Sequence, residues 1–322
     1  MRPLLLSNAI TLTLHKKCRV YLYSLYGLNV RSDVALPGLP PGGDGSDVAI
    51  CERRFDLPSV FSEEIGKELD VTQDSAYLRC DFGSFHLHAG REISMMPAPA
   101  ADASFLAQFV AGIVFGILLR QRGDLVLHAS AIAVHEKVVA FVGNTVSGKS
   151  TLVAALLGRG HAFVADDVLP VRFADGVPLA YPGVPTLKLW PEIVRSMGDD
   201  PAGLPLAWPA EEKRLWRVER GFVRDPLPLS RVYVLALGDA HTVTAVSPTE
   251  AVYELARCGY CAEFLQGIDA ARQFQQTIAL AQSVPICRLR RVMSLDRLPE
   301  LVDLIEADLS GPATQADAGS GG

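Results

Sequence analysis

The sequence predicts an α/β protein, in which a core of alternating strands and helices follows a small β-rich segment. Three observations predict it. Residues 19–92 alternate short β-rich runs with Pro/Gly loops. From Leu125 the pattern changes to strand, turn, strand, Gly-rich loop, helix, strand. The Gly-rich loop itself stands between a β-branched run and an apolar helix, the position from which α/β sheets hold anions.

The bulk properties set the outer bounds. A chain of 322 residues, 49% hydrophobic and 20% charged, can bury one large core or two modest ones. With 30 basic against 36 acidic residues it carries a net charge of −6 and no basic footprint for a nucleic acid polymer. The longest apolar run, Phe105–Leu119, is interrupted by Gln108 and falls short of the roughly 20 residues that cross a bilayer, so it predicts a buried helix. Arg2 and three leucines open the chain, but Ser7 and Asn8 follow at once, leaving no apolar core of signal-peptide length. The expectation is a cytoplasmic protein with no membrane partner. Six cysteines form no disulfide scaffold pattern. Cys258 and Cys261 make one Cys-x-x-Cys pair, either a redox couple, half a zinc site, or simply the end of a helix.

The elements follow in order. Val20–Leu25, Asp47–Cys51, Ala76–Phe82 and Ser84–His88 read as strands, with Pro37–Gly45 as a loop between them. These belong to a β-rich segment, 1–104, and the buried helix opens a core domain, 105–309. Leu125–Val134 and Lys137–Val142 predict a hairpin. Ser150–Gly158 predicts an apolar helix closed near Gly160, and Ala162–Ala165 a short buried strand ending in Asp166-Asp167. Residues 181–228 concentrate proline and tryptophan with charged clusters at Glu211–Arg214 and Arg217–Arg220, and predict an irregular, mobile excursion. Regular structure is expected again at the strand Arg231–Leu237, the helices Pro248–Arg257 and Ala262–Gln282, the strand Pro285–Leu289 and the helix Leu298–Leu309. The tail 310–322, rich in Gly, Ala and Ser, is expected to be disordered. There is no internal repeat.

Gly143-Asn144-Thr145-Val146-Ser147-Gly148-Lys149-Ser150, followed by Thr151, satisfies the phosphate-loop pattern. Backbone N–H groups of such a loop and of the following helix converge on one anion. Lys149 is placed to reach the terminal phosphates of ATP, and the Ser150 hydroxyl to hold Mg²⁺. If the hairpin turn centres on Glu136, residues whose numbers sum to 272 face each other, which sets His128 opposite Asn144 at the mouth of the loop. His128 then either lines the phosphate site or is satisfied within the sheet. Asp166 and Asp167 end the next strand, where α/β sheets collect ligands, and adjacent residues there point to opposite sides. One carboxylate can meet Mg²⁺ while the other serves the attacking hydroxyl; the alternative is a solvated pair capping the strand. Lys188, Lys213 and Arg214 could close over the phosphates as a basic lid, or be solvated surface charge.

Leu127-His128-Ala129-Ser130-Ala131, then Gly143–Thr151, then Ala165-Asp166-Asp167 together resemble the catalytic core of the HPr kinase/phosphorylase family. The resemblance implies a phosphate-loop kinase fold related to phosphoenolpyruvate carboxykinase, using ATP and Mg²⁺. Carried over by position, it makes Asp166 the base facing the substrate hydroxyl, gives Asp167 and Ser150 to Mg²⁺, and lines the phosphate site with His128. Those enzymes are hexamers, so a homo-oligomer is an expectation it brings. Tyr26-Gly27-Leu28, Ser32-Asp33, Leu36-Pro37, Tyr181-Pro182-Gly183, Leu187–Pro191 and Glu212-Lys213-Arg214 are similar to the kinases of lasso-peptide biosynthesis clusters, which phosphorylate a precursor peptide on a serine. Thr145-Val146 stands where HPr enzymes usually carry Ser-Gly, and their downstream Gly-rich metal-binding segment has no counterpart here.

The expectation is therefore a kinase acting on a serine of a peptide or small protein. An ATP-binding regulator without transfer and a small-molecule hydroxyl kinase are the alternatives. No Asn-Lys-x-Asp guanine motif and no LSGGQ-type signature occurs.

Overall fold

The computed structural model describes residues 19–58, 62–64, 67–145, 147–261, 265 and 268–311. Residues 1–18, Val146 and the tail from residue 312 lie outside the described residues, so the expectations made for them do too, while Ser310, expected in the tail, ends the last helix.

The β-rich segment is an eight-stranded sheet of β1 (Tyr21–Leu25), β2 (Leu28–Ser32), β3 (Val48–Glu52), β4 (Ser62–Glu64), β5 (Lys67–Val71), β6 (Ser75–Cys80), β7 (Gly83–His88) and β8 (Glu92–Pro97). Its order is β1-β2-β3-β8-β7-β6-β5-β4, with β3 parallel to both neighbours and the other pairs antiparallel. Alternation puts Val30, Ile50, Leu78, Phe85, Leu87 and Ile93 on one buried face. Against that face lies a continuous helical run, α1 (Ala103–Phe109), a π-helical stretch at Val110–Val114, and α2 (Phe115–Gln121). Asp102 starts it, its carboxylate accepting the N–H groups of Ser104 and Phe105. The run 103–121 is long and apolar enough to cross a membrane by length and composition, yet 72% of it is buried, much of it against the sheet. It is the buried helix that the sequence predicts, extended by two residues at each end.

The core comprises β9 (Leu125–Val134), β10 (Lys137–Val142), α3 (Lys149–Gly158), β11 (Ala162–Ala165), β12 (Val168–Ala174), β13 (Val177–Ala180), β14 (Thr186–Leu189), α4 (Pro191–Ser196), β15 (Arg214–Arg217), β16 (Leu227–Leu237), β17 (Thr242–Ala245), α5 (Pro248–Arg257), α6 (Ala270–Ser283), β18 (Ile286–Arg291) and α7 (Leu298–Ser310). β10 lies between antiparallel β9 and parallel β16, and β16 is also parallel to β18. On β10 the even positions Val138, Ala140 and Val142 join the core shared with α5 and α6. The odd positions Val139 and Phe141 join the core shared with α3 and α7. Both faces of this strand are therefore covered, which is why it reads as a continuous apolar run.

Phe141 stacks on Tyr233 of β16, with ring centroids 5.6 Å apart and planes 13° from parallel, and both are fully buried. Phe141→Ala is expected to destabilise the fold by about 3–5 kcal/mol in chemical denaturation. A loss below about 1 kcal/mol would mean that the strand carrying the loop is not this tightly held.

Three expectations are corrected. The hairpin turn is the two-residue His135-Glu136, both with positive φ, so facing residues sum to 271 and not 272. Val142 faces Ala129, and His128 pairs with Val168 of β12 and not with Asn144. Second, 181–228 is irregular only in part. β14 and β15 pair antiparallel, and Leu187, Leu189, Ile193 and Val194 are buried in the core shared with α3. Alternation in Leu187-Lys188-Leu189 carries that element, and the surrounding Pro and Trp residues hide it. Third, within the helix expected at Ala262–Gln282, Leu265, Ile268 and Asp269 are not helical and residues 262–264 and 266–267 lie outside the described residues; the described helix starts at Ala270, where Asp269 accepts the Arg272 N–H from a left-handed conformation.

The two segments meet at a seam under the site. Gly27 has φ +73, and a Cβ there would lie 2.5 Å from the Tyr181 ring. Arg172 spans the seam: it binds both carboxylate oxygens of Asp124, donates to the Tyr26 carbonyl at 3.1 Å, and stacks 4.0 Å over Tyr181.

Candidate active site

β10 runs directly into the loop, and Gly148 ends it in the left-handed region with φ +79, serving as N-cap of α3. That left-handed conformation calls for glycine, and a Cβ there would lie 2.5 Å from the Arg291 guanidinium, which would have to move aside. Lys149 is buried, its Nζ donating to the carbonyls of Gly143 at 3.0 Å and Asn144 at 3.2 Å. Burial pushes its pKa down, against the pull of Asp167 and Asp166. The Asn144 side chain accepts from Arg257 of α5 at 2.5 Å. Thr145, Ser147, Gly148, Lys149, Ser150 and Thr151 line the cleft, while Gly143 and Asn144 hold the lysine.

The aspartate pair stands between β11 and β12. Val168 N–H donates to the Asp166 carbonyl at 3.0 Å and Asp167 has φ +70, the signature of a tight γ-turn. Such backbone strain at a non-glycine residue gathers at working sites. The turn sends the two carboxylates in different directions. Asp166 Oδ1 accepts from Ser150 Oγ at 2.8 Å and from Ser130 Oγ at 2.5 Å, and its Oδ2 accepts from the Lys188 N–H. Burial, then the neighbouring Asp167, raises its pKa. Asp167 faces the cleft, with Lys188 Nζ 2.6 Å from one oxygen and His128 Nε2 3.6 Å from the other. Burial would raise its pKa too, but Lys188 and His128 outweigh that and hold it well below the usual carboxylate range. Lys188 in turn is raised, because its pairing with Asp167 outweighs its burial.

The two carboxylates thus differ in their contacts. Asp166 is the carboxylate beside Ser150, and Asp167 is the one exposed to the cleft.

The cleft measures about 290 Å³. The loop and the start of α3 form its floor. Lys188, Trp190, Ile193 and Lys213 form one wall, and the segment from Arg291 to Leu298 the other. Of the expected lid, Lys188 and Lys213 reach the cleft, with the Lys213 ammonium 5.3 Å over the Trp190 ring. Arg214 does not line it; its guanidinium donates to the Leu204 carbonyl at 3.4 Å. Two contributors escaped the sequence reading. Ser130 lies two residues beyond His128, on the same strand, a spacing that could have flagged it. Arg291 comes from the end of β18 and has no motif around it.

Ser150 Oγ and the Asp166 carboxylate are adjacent hard oxygen donors, the type that Mg²⁺ selects. Among the described residues no group of three or more His, Cys, Asp and Glu could hold a metal by itself. The donor set therefore fits an ion that takes its remaining ligands from phosphate and water. Cys258 and Cys261 are unbridged, and Cys258 is buried with its thiol pKa raised by burial.

No protein-family model matches this chain, and no curated protein matches it. Among solved structures the chain is similar to the Hpr(Ser) kinase/phosphatase from Coxiella burnetii, with 12% identity and a TM-score of 0.32 over 57% of this chain and 90% of that one. What the cleft can do chemically follows from its own geometry.

Proposed function

We propose that the protein is an ATP-dependent kinase that transfers the γ-phosphate to a serine hydroxyl of a peptide or small protein, with a ribosomally made precursor peptide as the acceptor. One observation carries this reading. A cleft that already holds a phosphate-loop Lys149 and a Ser150–Asp166 pair also presents a second carboxylate, Asp167, that is not hydrogen-bonded to Ser150. A nucleotide sensor needs the first set; a transferase needs both.

The residues divide the work as follows. Backbone N–H groups of the loop and of α3 receive the phosphates, and Lys149 leaves the Gly143 and Asn144 carbonyls to meet them. Asp166 and Ser150 would hold Mg²⁺, which would supply positive charge to offset that of the phosphates. Asp167 accepts the hydrogen bond of the incoming hydroxyl, orients it in line and takes its proton as the bond forms. Lys188 keeps Asp167 ionised, and His128 steadies its other oxygen. Lys188 and Lys213 lie where negative charge develops during transfer. The peptide acceptor is supported by the seam, where Tyr26-Gly27 and Tyr181–Gly183, both similar to lasso-cluster kinases, touch one another beside the aspartates.

Incubation with labelled ATP, Mg²⁺ and the peptide encoded beside the gene is expected to add one phosphate to a peptide serine. Consumption of ATP with no mass gain on any peptide would sink the peptide-kinase reading.

The pairing also predicts a pH dependence. Asp167 is depressed, so its contribution to stability is present above the ordinary carboxylate pKa and is lost as pH falls through the lower folded value. Lys188→Met removes the main cause of that depression and leaves His128 as the chief group still opposing burial. The acid limb of the kcat/KM profile is then expected to move up toward neutral pH. An unshifted limb would show that Asp167 is not the group being titrated.

A further inference from the structure

The two ends of the cleft differ in chemistry. At one end Asp167, Lys188, Lys149 and Ser150 gather around the phosphate loop. Elsewhere in the lining, Val292, Met293, Leu295 and Leu298, which follow Arg291 in the chain, supply apolar surface, with Ile193 contributed by α4. Met293 is 56% exposed and Leu295 45%, an unusual pair of bare apolar side chains at the rim of a polar site.

Arg291 immediately precedes the apolar run in the chain, and its guanidinium lies against Ser147 and Gly148 of the loop. The residue is only 6% exposed, yet among the described residues it forms no ion pair with a carboxylate. Among the described residues its polar partner is the Ser147 carbonyl in the loop. Burial alone pushes its pKa below the ordinary guanidinium range, with no anion to offset the shift. A buried cation costs free energy unless paired. This one is buried against an anion-binding loop, 2.5 Å from where a Cβ on Gly148 would be.

We propose that the apolar end, from Val292 to Leu298, is the subsite for the nucleotide's base, and that Arg291 binds the phosphates nearest the ribose. The claim rests on the nucleotide-binding reading and adds a direction to it. The triphosphate lies along the loop with its γ end toward Asp167 and its α end beneath Arg291. The base rests on Met293, Leu295 and Leu298, opposite Ile193 of α4. Arg291 exchanges the Ser147 carbonyl for phosphate oxygens when the nucleotide enters, which gives the buried charge the anion it lacks. Arg suits this place because its fork meets two phosphate oxygens at once.

The proposal separates two ligands that share phosphates but not a base, ATP and inorganic tripolyphosphate. In the double variant Met293→Gln, Leu295→Gln both sites are exposed and the changes are neutral, so the fold and the loop's charge stay as they are. ATP affinity by calorimetry is expected to fall roughly tenfold, from lost apolar contact, while tripolyphosphate affinity stays within about twofold. Arg291→Gln is expected to weaken both ligands by roughly ten- to a hundredfold, and Arg291→Lys to recover part of that loss for both. ATP affinity unchanged in the double variant overturns the base subsite. An unchanged tripolyphosphate affinity in Arg291→Gln overturns the role of Arg291. In either case, loss of ATP binding in Lys149→Ala would leave the nucleotide-binding reading standing. Wild-type protein that binds neither ligand would overturn both readings together.

Discussion

Asp167→Asn is expected to lower the rate of phosphoryl transfer by roughly 10²- to 10⁴-fold while ATP affinity changes little. The amide keeps the shape of the side chain and its place in the γ-turn, but it can neither take a proton nor hold Lys188 as an ion. Asp166→Asn should behave differently. It sits against Ser150 and Ser130, so its loss should raise the Mg²⁺ concentration needed for half-maximal rate, and added Mg²⁺ should restore part of the activity. Single-turnover transfer at a series of Mg²⁺ concentrations distinguishes the two. Recovery of the Asp167 variant by Mg²⁺, with none for the Asp166 variant, would reverse the assignment and return the roles to those implied by the resemblance.

Lys149→Ala is expected to lower transfer by roughly 10²- to 10³-fold, the scale of losing one charged group aimed at the developing phosphate charge, and to weaken ATP binding as well. The same change should also cost stability. The carbonyls of Gly143 and Asn144 lose a buried donor, worth about 1–3 kcal/mol if nothing replaces it. Thermal unfolding without nucleotide measures that cost, and calorimetric titration with ATP measures the binding loss. Wild-type ATP affinity in a folded Lys149→Ala protein would remove the loop from the nucleotide site.

Much of the fold was legible because its signals are local. The hairpin 125–142, α3 and β11 follow from period-two and apolar runs bounded by turn residues, and they emerged with boundaries as read or one residue off. The register of the hairpin was not legible to the last residue. Whether the turn has one centre residue or two, here His135 and Glu136 at positive φ without glycine or asparagine, shifts every facing pair by one. The excursion 181–228 was hidden for a different reason. β14 and β15 are strands four residues long whose pairing joins positions 25 or more apart, and its burial depends on α3 lying beneath.

The sequence by itself determined the phosphate loop, the hydroxyl that follows it and the presence of two carboxylates at the end of the next strand. These depend on spacing along a few residues. Only the tertiary structure decided which carboxylate faces the cleft. The left-handed turn at Asp167 rotates the two side chains apart. Lys188, brought in from β14, holds one carboxylate, while Ser130 and Ser150 hold the other. Arg291 is the extreme case. Nothing around it in the chain marks it, and its meaning comes wholly from being buried, with no counter-ion among the described residues, against a loop more than a hundred residues earlier in the chain.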